Sequence, residues 1–282
     1  MAINKNSNVY IIIYTIVMVV IVGALLAFLA TYHKPQQDAN VLNEQKVSIM
    51  RAFGEATAES ETAAVVEQFD SVSIMTLTDG VATEVDKNDT EAVQSVFHLL
   101  GSRKDLAAAT EELPIFVLEK DGATKYVLPM VGKGLWGDIW GYISLQSTEG
   151  NYEITGIVMA HAGETPGLGA EIATATVQDS FKGILLYDEN NEFAVRMQKG
   201  GAQNAHQVDA ITGGTKTCDG VNAMLASCIE RYESFLMGQS AAAEADTTAA
   251  ADEVVADEVV AEATESAEPV AETNVELNTE EE

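Results

Sequence analysis

PIFVLEKDGATKYVLPM, Pro114 to Met130, is the stretch from which the fold class is read. Two short runs rich in β-branched and aromatic residues flank Asp121-Gly122, a dipeptide suited to the left-handed backbone of a tight turn, so the segment reads as a β-hairpin. Downstream, GYISLQ (Gly141–Gln146) and YEITGIVMAH (Tyr152–His161) form a second pair, and ILLYDENNEFAVRMQKG (Ile184–Gly200) a third that turns at Glu189 to Asn191. Between those pairs, LGAEIATATVQDSF (Leu168–Phe181) suits a helix that starts after the glycines. Val221 to Met237 puts Val221, Met224, Leu225, Cys228, Tyr232, Phe235 and Leu236 on one helical stripe, with Asp219 as N-cap and Gly238 as the closing residue. The fold class expected is α+β, a mostly antiparallel sheet with flanking helices.

Towards the N-terminus the pattern becomes helical. Ser71 to Thr78 alternates like a strand, Ala92 to Leu100 suits a helix starting after Asp89 or Thr90, and Arg103 to Glu112 is a polar connection. Val41 to Thr57 keeps helical spacing through Val47, Met50 and Phe53 and is read as a stalk. Val9 to Tyr32 runs without a charge, long enough as a helix to cross about 30 Å of hydrocarbon. It exceeds the apolar core of a signal peptide and no A-x-A site follows, so a single, uncleaved transmembrane helix is expected. Tyr10, Tyr14 and Tyr32 fall towards its ends, as interfacial aromatics do. Lys5 stands on one side of it and Lys34, Lys46 and Arg51 on the other, a count that leans weakly towards a cytoplasmic C-terminal domain.

The net charge is −29, of which −14 lies in residues 241–282, leaving −15 for the rest. Such a balance excludes nucleic acid as a partner, since binding it requires basic surface. Beyond Gln239 the chain is Ala, Glu, Val and Asp, with ADEVV in tandem at Ala251 to Val260, and is expected to be a disordered, solvated spacer. Cys218 and Cys228 offer neither a disulfide framework nor metal-ligand spacing. The expected organisation is a short segment 1–8, a membrane helix 9–32, a stalk and N-terminal part of the soluble region 33–112, a main domain 113–238 and an acidic tail 239–282.

Three stretches carry chemistry. DAITGGTKT, Asp209 to Thr217, has an acid, a hydroxyl, two glycines and further hydroxyls just ahead of a helix, where backbone N–H groups favour an anion such as phosphate. ETPGLG, Glu164 to Gly169, follows His161, and GKGLWG spans Gly132 to Gly137. Taken singly, these are a Pro-Gly turn and a Gly-rich loop around a tryptophan. No acid–base dyad, nucleophile–base pair or G-x-G-x-x-G is present.

In this order, behind one membrane helix, the three resemble the FMN-binding domain family, and in particular the NqrC family of the Na⁺-translocating NADH:quinone oxidoreductases. The likeness covers roughly 113–238. In D-x-x-[ST]-G-x-T the last threonine carries FMN through a phosphoester bond, which the resemblance maps onto Asp209, Thr212, Gly213 and, as acceptor, Thr215; Gly214 stands where the family usually has Ala, and Thr217 is the competing hydroxyl. Given that cofactor, Leu135, Trp136 and Leu168 can supply apolar packing for isoalloxazine, and Thr165 with the backbone around Gly167 and Gly169 can meet its edge; Glu164 belongs to the signature, and Lys199, ten residues before Asp209, is a candidate partner of the phosphate or the flavin edge. The resemblance implies a redox subunit of a translocase in the bacterial inner membrane. Its soluble domain would be periplasmic, its covalent FMN attached by a separate flavin transferase, its NADH and quinone sites on partner subunits, and its anchor in contact with lipid. The G subunit of the Rnf ferredoxin:NAD⁺ complex shares the flavin-threonine and PGLG motifs and is the alternative. From another class, an anchored non-redox binding module with an acidic tail is the second alternative.

Overall fold

Seven residues into the chain Ser7 caps the first helix, its hydroxyl accepting from Tyr10 N–H, and α1 (Asn8–Phe53) then runs unbroken for 46 residues. The apolar span and the stalk are therefore one element, with Pro35 inside it just past the charge-free stretch. The computed structural model describes residues 7–148 and 150–264, with side chains as far as Gln239. After α1 come α2 (Thr62–Gln68), β1 (Ser73–Thr78), β2 (Val81–Glu84), α3 (Thr90–Gly101) and α4 (Arg103–Ala108). Asp89 caps α3 by accepting from Glu91 and Ala92 N–H.

The expected hairpins form as β3 (Leu113–Lys120) with β4 (Ala123–Lys133), and β5 (Asp138–Thr148) with β6 (Asn151–His161). Asp121 and Gly122 take φ of 54° and 77°, the left-handed pair a two-residue turn demands. The sheet has six strands in the order β2-β1-β3-β4-β5-β6, all antiparallel. Because β1 pairs with β3, the sheet runs across residue 113, and β1 and β2 share the architecture of the downstream strands.

After β6 a 3₁₀ turn (Gly169–Ala173) leads into the short α5 (Ala175–Asp179). One continuous helix was expected here; Thr174 is extended and divides it, in a run whose β-branched Ile172, Thr174, Thr176 and Val177 favour helix poorly. The third expected hairpin is also corrected. Tyr187 and Phe193 form one antiparallel bridge and Leu185 bridges to Glu153 of β6, but β7 (Arg196–Gln198) turns away to pair in parallel with β8 (Gln207–Asp209). Asn222 fixes that departure, accepting from Met197 N–H and donating to Met197 C=O.

The last helix, α6 (Thr215–Thr264), starts before the expected N-cap, and Asp219 lies inside it, 3.5 Å from Lys216. It also passes Gly238, so residues 239–264 are helical where disorder was expected; Ala and Glu are strong helix formers. Residues 265–282, the rest of that expected tail, lie outside the described residues.

Both faces of the sheet are covered. On one, Leu128, Met130, Ile139 and Ile143 pack against Val221, Met224, Leu225, Cys228 and Tyr232 of α6. On the other, Phe116, Val127 and Tyr142 pack with Ile49, Met50 and Phe53 of α1 and with Phe69 and Phe97. Burial pushes the Cys228 thiol up to about 12, so it is a neutral core group.

The packing sets a direction. Phe53 C=O accepts from Lys125 Nζ near the start of β4, and Ala52 C=O lies against Gly156. Nearer the middle of α1, Glu44 is close enough to Tyr142 to add to the effect of burial in raising its phenol pKa. Passing from Ala52 back to Glu44 thus moves along the sheet from Gly156 towards Tyr142. The strand ends at Lys133, Asp138 and His161 accordingly lie on the side from which the apolar part of α1 arrives.

Candidate functional site

At that end of the sheet the three chemistry-bearing loops meet. The β4–β5 connection brings Gly134 to Gly137, the segment after β6 brings Glu164 to Gly169, and the turn before α6 brings Thr212 to Gly214. Their glycines are where backbones and side chains close in. A Cβ added at Gly134 would lie 2.4 Å from Glu164 Oε1, and one at Gly169 would lie 2.2 Å from Thr217 Oγ1 and 2.6 Å from Glu164 Oε2. At Gly213, left-handed with φ 77°, a Cβ would meet Leu168 Cδ2 at 2.7 Å, and at Gly220 it would meet Lys133 C=O at 2.2 Å. The sequence separates these loops by up to eighty residues or so; the fold makes them one surface.

Glu164 is the junction. It is 4% exposed, accepts from Trp136 N–H at 2.9 Å through Oε1, and accepts from the Thr217 hydroxyl at 2.6 Å through Oε2. Its own N–H donates to His161 Nδ1, giving that histidine a structural place. Burial is the largest single influence on its carboxyl and pushes it up. The Thr217 hydroxyl and the N–H groups of Trp136, Gly137 and Leu135 outweigh that, and hold it below the usual carboxylate range. A carboxyl depressed in the folded chain stabilises fully above its ordinary value of 4.5, and that contribution is lost as pH falls below it through the folded value. Equilibrium unfolding followed across the acid range should therefore show Glu164→Gln with a shallower loss of stability below that pH than the parent chain.

Around this junction the expected site residues divide. Leu135, Trp136 and Leu168 are 53%, 70% and 40% exposed, large apolar side chains left on the surface beside the turn. Thr215 is half-buried at the first position of α6, and the first intrahelical bond is Cys218 N–H to Gly214 C=O. The N–H groups of Thr215, Lys216 and Thr217 precede that bond, so they have no acceptor within the helix and none among the described residues. Thr217 is 1% exposed and its hydroxyl is committed to Glu164; Thr212 is exposed.

Gly214 is buried with ordinary φ, and its added Cβ would be 3.1 Å from Ile211 Cβ. That is tight but not forbidden, so Gly214→Ala should change stability by no more than about 1 kcal/mol in thermal unfolding, the entropy gained offsetting the squeeze on Ile211.

The other expected residues shape the neighbouring turns. Asp209 is exposed and accepts from Ala202 N–H at 2.7 Å, closing the turn between β7 and β8. Lys199, just past β7, is exposed and makes no ion pair among the described residues. Thr165 contributes its carbonyl, which accepts from Leu168 and Ala170 N–H, and thereby shapes the ETPGLG turn. Gly167 (φ 74°) is open, whereas Gly169 is a packing glycine. A concave space of about 630 Å³ lies elsewhere, between α1 and α3.

Residues 134–230, which hold all three loops, match the family model for the FMN-binding domain. Among solved structures, NqrC of the Na(+)-translocating NADH-quinone reductase from Parabacteroides distasonis is 32% identical, with a TM-score of 0.58, over 72% of this chain and 96% of that one. The chain belongs to the NqrC family of these reductases. A second solved structure, Shewanella oneidensis NqrC, is 24% identical with a TM-score of 0.54 over 99% of its length, and supports the fold. The NqrC of Vibrio alginolyticus is 33% identical over 51% of this chain and 58% of its own, and that of Pasteurella multocida 41% identical over 38% and 42%. The matched region thus spans about half the length of these two curated relatives.

Two members of the site escaped the sequence reading as such. Thr217 looked like a rival acceptor and is instead the buried donor to Glu164, and Gly134 looked like loop filler and is instead the gap that admits the carboxylate. Neither role leaves a local pattern, because each partner lies in a different loop.

Proposed function

We propose that this chain is a membrane-anchored electron-transfer subunit of a Na⁺-translocating NADH:quinone reductase, with FMN bound covalently through its phosphate to Thr215. The observation that carries the reading is the contrast between two hydroxyls one helical half-turn apart. Thr217 is buried and spoken for, while Thr215 stands half-buried among open N–H groups and beside exposed apolar side chains.

The residues present fit the cofactor. A phosphate on Thr215 Oγ1 would be held at the start of α6, where the helix dipole and the N–H groups without an intrahelical acceptor favour negative charge. Trp136, Leu135 and Leu168 offer the flat apolar surface on which a largely apolar ring system packs. FMN supplies the redox chemistry, uptake and release of electrons by its ring. The protein's part is to hold and orient. Glycine backbones let the three loops close, Glu164 ties them, and the ester keeps the cofactor from exchanging.

α1 contains a charge-free stretch long and apolar enough to cross a membrane. We assign it as a single-pass anchor in a bacterial inner membrane, with the soluble region periplasmic. The Thr215 loops then lie at the membrane-facing end of the domain, where partner subunits holding the NADH and quinone sites are within reach. A separate flavin transferase makes the ester, and lipid surrounds the anchor.

Two results test this together. The denatured 30.1 kDa chain from native membranes should fluoresce under ultraviolet light in a gel, and membrane subunits of the reductase should co-purify with it. A dark band, or a complex of other subunits, overturns the reading.

A further inference from the structure

Glu164 does more than belong to the ETPGLG stretch. Its two carboxylate oxygens reach two different elements at once, Trp136 N–H in the β4–β5 loop and the Thr217 hydroxyl in the first turn of α6. The space it occupies exists only because Gly134 and Gly169 carry no side chain, and the Thr217 hydroxyl is buried with it. A carboxylate in that position cannot reach the surface where Thr215 and the Trp136 indole are open, so it does not touch what binds there.

We propose that Glu164 is the positioning residue of the Thr215 site: it clasps the indole-bearing loop to the start of α6 and, by engaging Thr217, leaves Thr215 as the open hydroxyl in the first turn of that helix. The proposal rests on the flavin reading above. Without the clasp, two donors at the junction lose their acceptor, the loop carrying Trp136 is free to shift, and the acceptor hydroxyl is presented in no fixed relation to its apolar bed. Placement errors of about 1 Å at a reacting group cost on the order of a hundredfold in rate, so the effect on modification is large.

The test uses the full chain expressed in cells that possess the flavin transferase, read by intact mass and by peptide mapping. Glu164→Ala should lower the flavin load at Thr215 by about tenfold or more. Glu164→Gln should restore it to near the parent level, since the amide oxygen still accepts from Trp136 N–H and the amide nitrogen can donate to Thr217 Oγ1. Gly134→Ala keeps every hydrogen-bonding group but pushes a methyl onto Glu164 Oε1, and should lose load as Glu164→Ala does. It also covers the case in which Glu164→Ala fails to fold. A readout independent of the flavin is the fluorescence anisotropy of Trp136 in chain made without the transferase, with Trp140→Phe as background; it should fall in Glu164→Ala and Gly134→Ala and be kept in Glu164→Gln. A full load with unchanged anisotropy in Glu164→Ala or Gly134→Ala, or failure of Glu164→Gln to rescue, overturns the proposal. A parent chain bare at Thr215 overturns the flavin reading instead.

Discussion

Thr215→Ala is expected to yield a folded chain with no covalent flavin, while Thr217→Val, which loses the bond to Glu164 and so carries less flavin, carries it at Thr215. The two threonines lie in the same turn of α6 and differ in sequence context by two positions, yet the fold separates them completely. Thr217 is 1% exposed, hydrogen-bonded to Glu164 and walled by Gly169, so a phosphoryl donor has no approach to its oxygen. Thr215 is half-buried at the helix start, where an entering phosphate meets unpaired N–H groups. Loss in Thr215→Ala should be complete rather than partial, because a covalent bond has no weaker version of itself to fall back on. Thr215→Ser, which keeps the oxygen, should retain the label. In-gel fluorescence of the three variants beside the parent decides the matter, and a signal that survives Thr215→Ala would reverse the assignment.

The second large effect is mechanical. Gly156→Ala should destabilise the soluble region by about 3 kcal/mol, at the upper end of what overpacking costs. The added Cβ would lie 2.2 Å from Ala52 C=O and 3.3 Å from its carbonyl carbon, backbone against backbone, with no flexible side chain to give way. Ala52 and Phe53 are wholly buried in the last turns of α1, so the stalk must lift from the sheet or the sheet must bend. For a domain of this size the shift corresponds to a fall of roughly 6–12 °C in the unfolding midpoint. Flavin load should be retained, since Thr215 lies on α6 on the opposite face. An unchanged midpoint would mean that α1 does not seat on β6 as described.

Much of this was legible in the chain. Asp121-Gly122 fixed the first hairpin because the turn chemistry is local, and the spacing of Val221, Cys228 and Tyr232 displayed the buried face of α6 because helical periodicity is local too. What could not be read depended on contacts between distant residues. Residues 184–200 alternate like a hairpin, but Asn222, far along the chain, draws Met197 into a parallel pair with β8. The start of α6 moved from Asp219 to Thr215 because Gly214, packed against Ile211 and Gly169, already closes the turn. At the site, Thr215, Trp136 and Leu168 could be singled out by motif. That Glu164 is buried between them, and that Thr217 is its partner rather than a rival acceptor, follows only when the loops are brought together.

The most direct measurement is the mass of the intact chain taken from native membranes, followed by mapping of the peptide that spans Asp209 to Thr217. An increment equal to FMN less one water, located on Thr215, is the predicted result. An unmodified peptide, or the same increment on Thr217, would contradict the account.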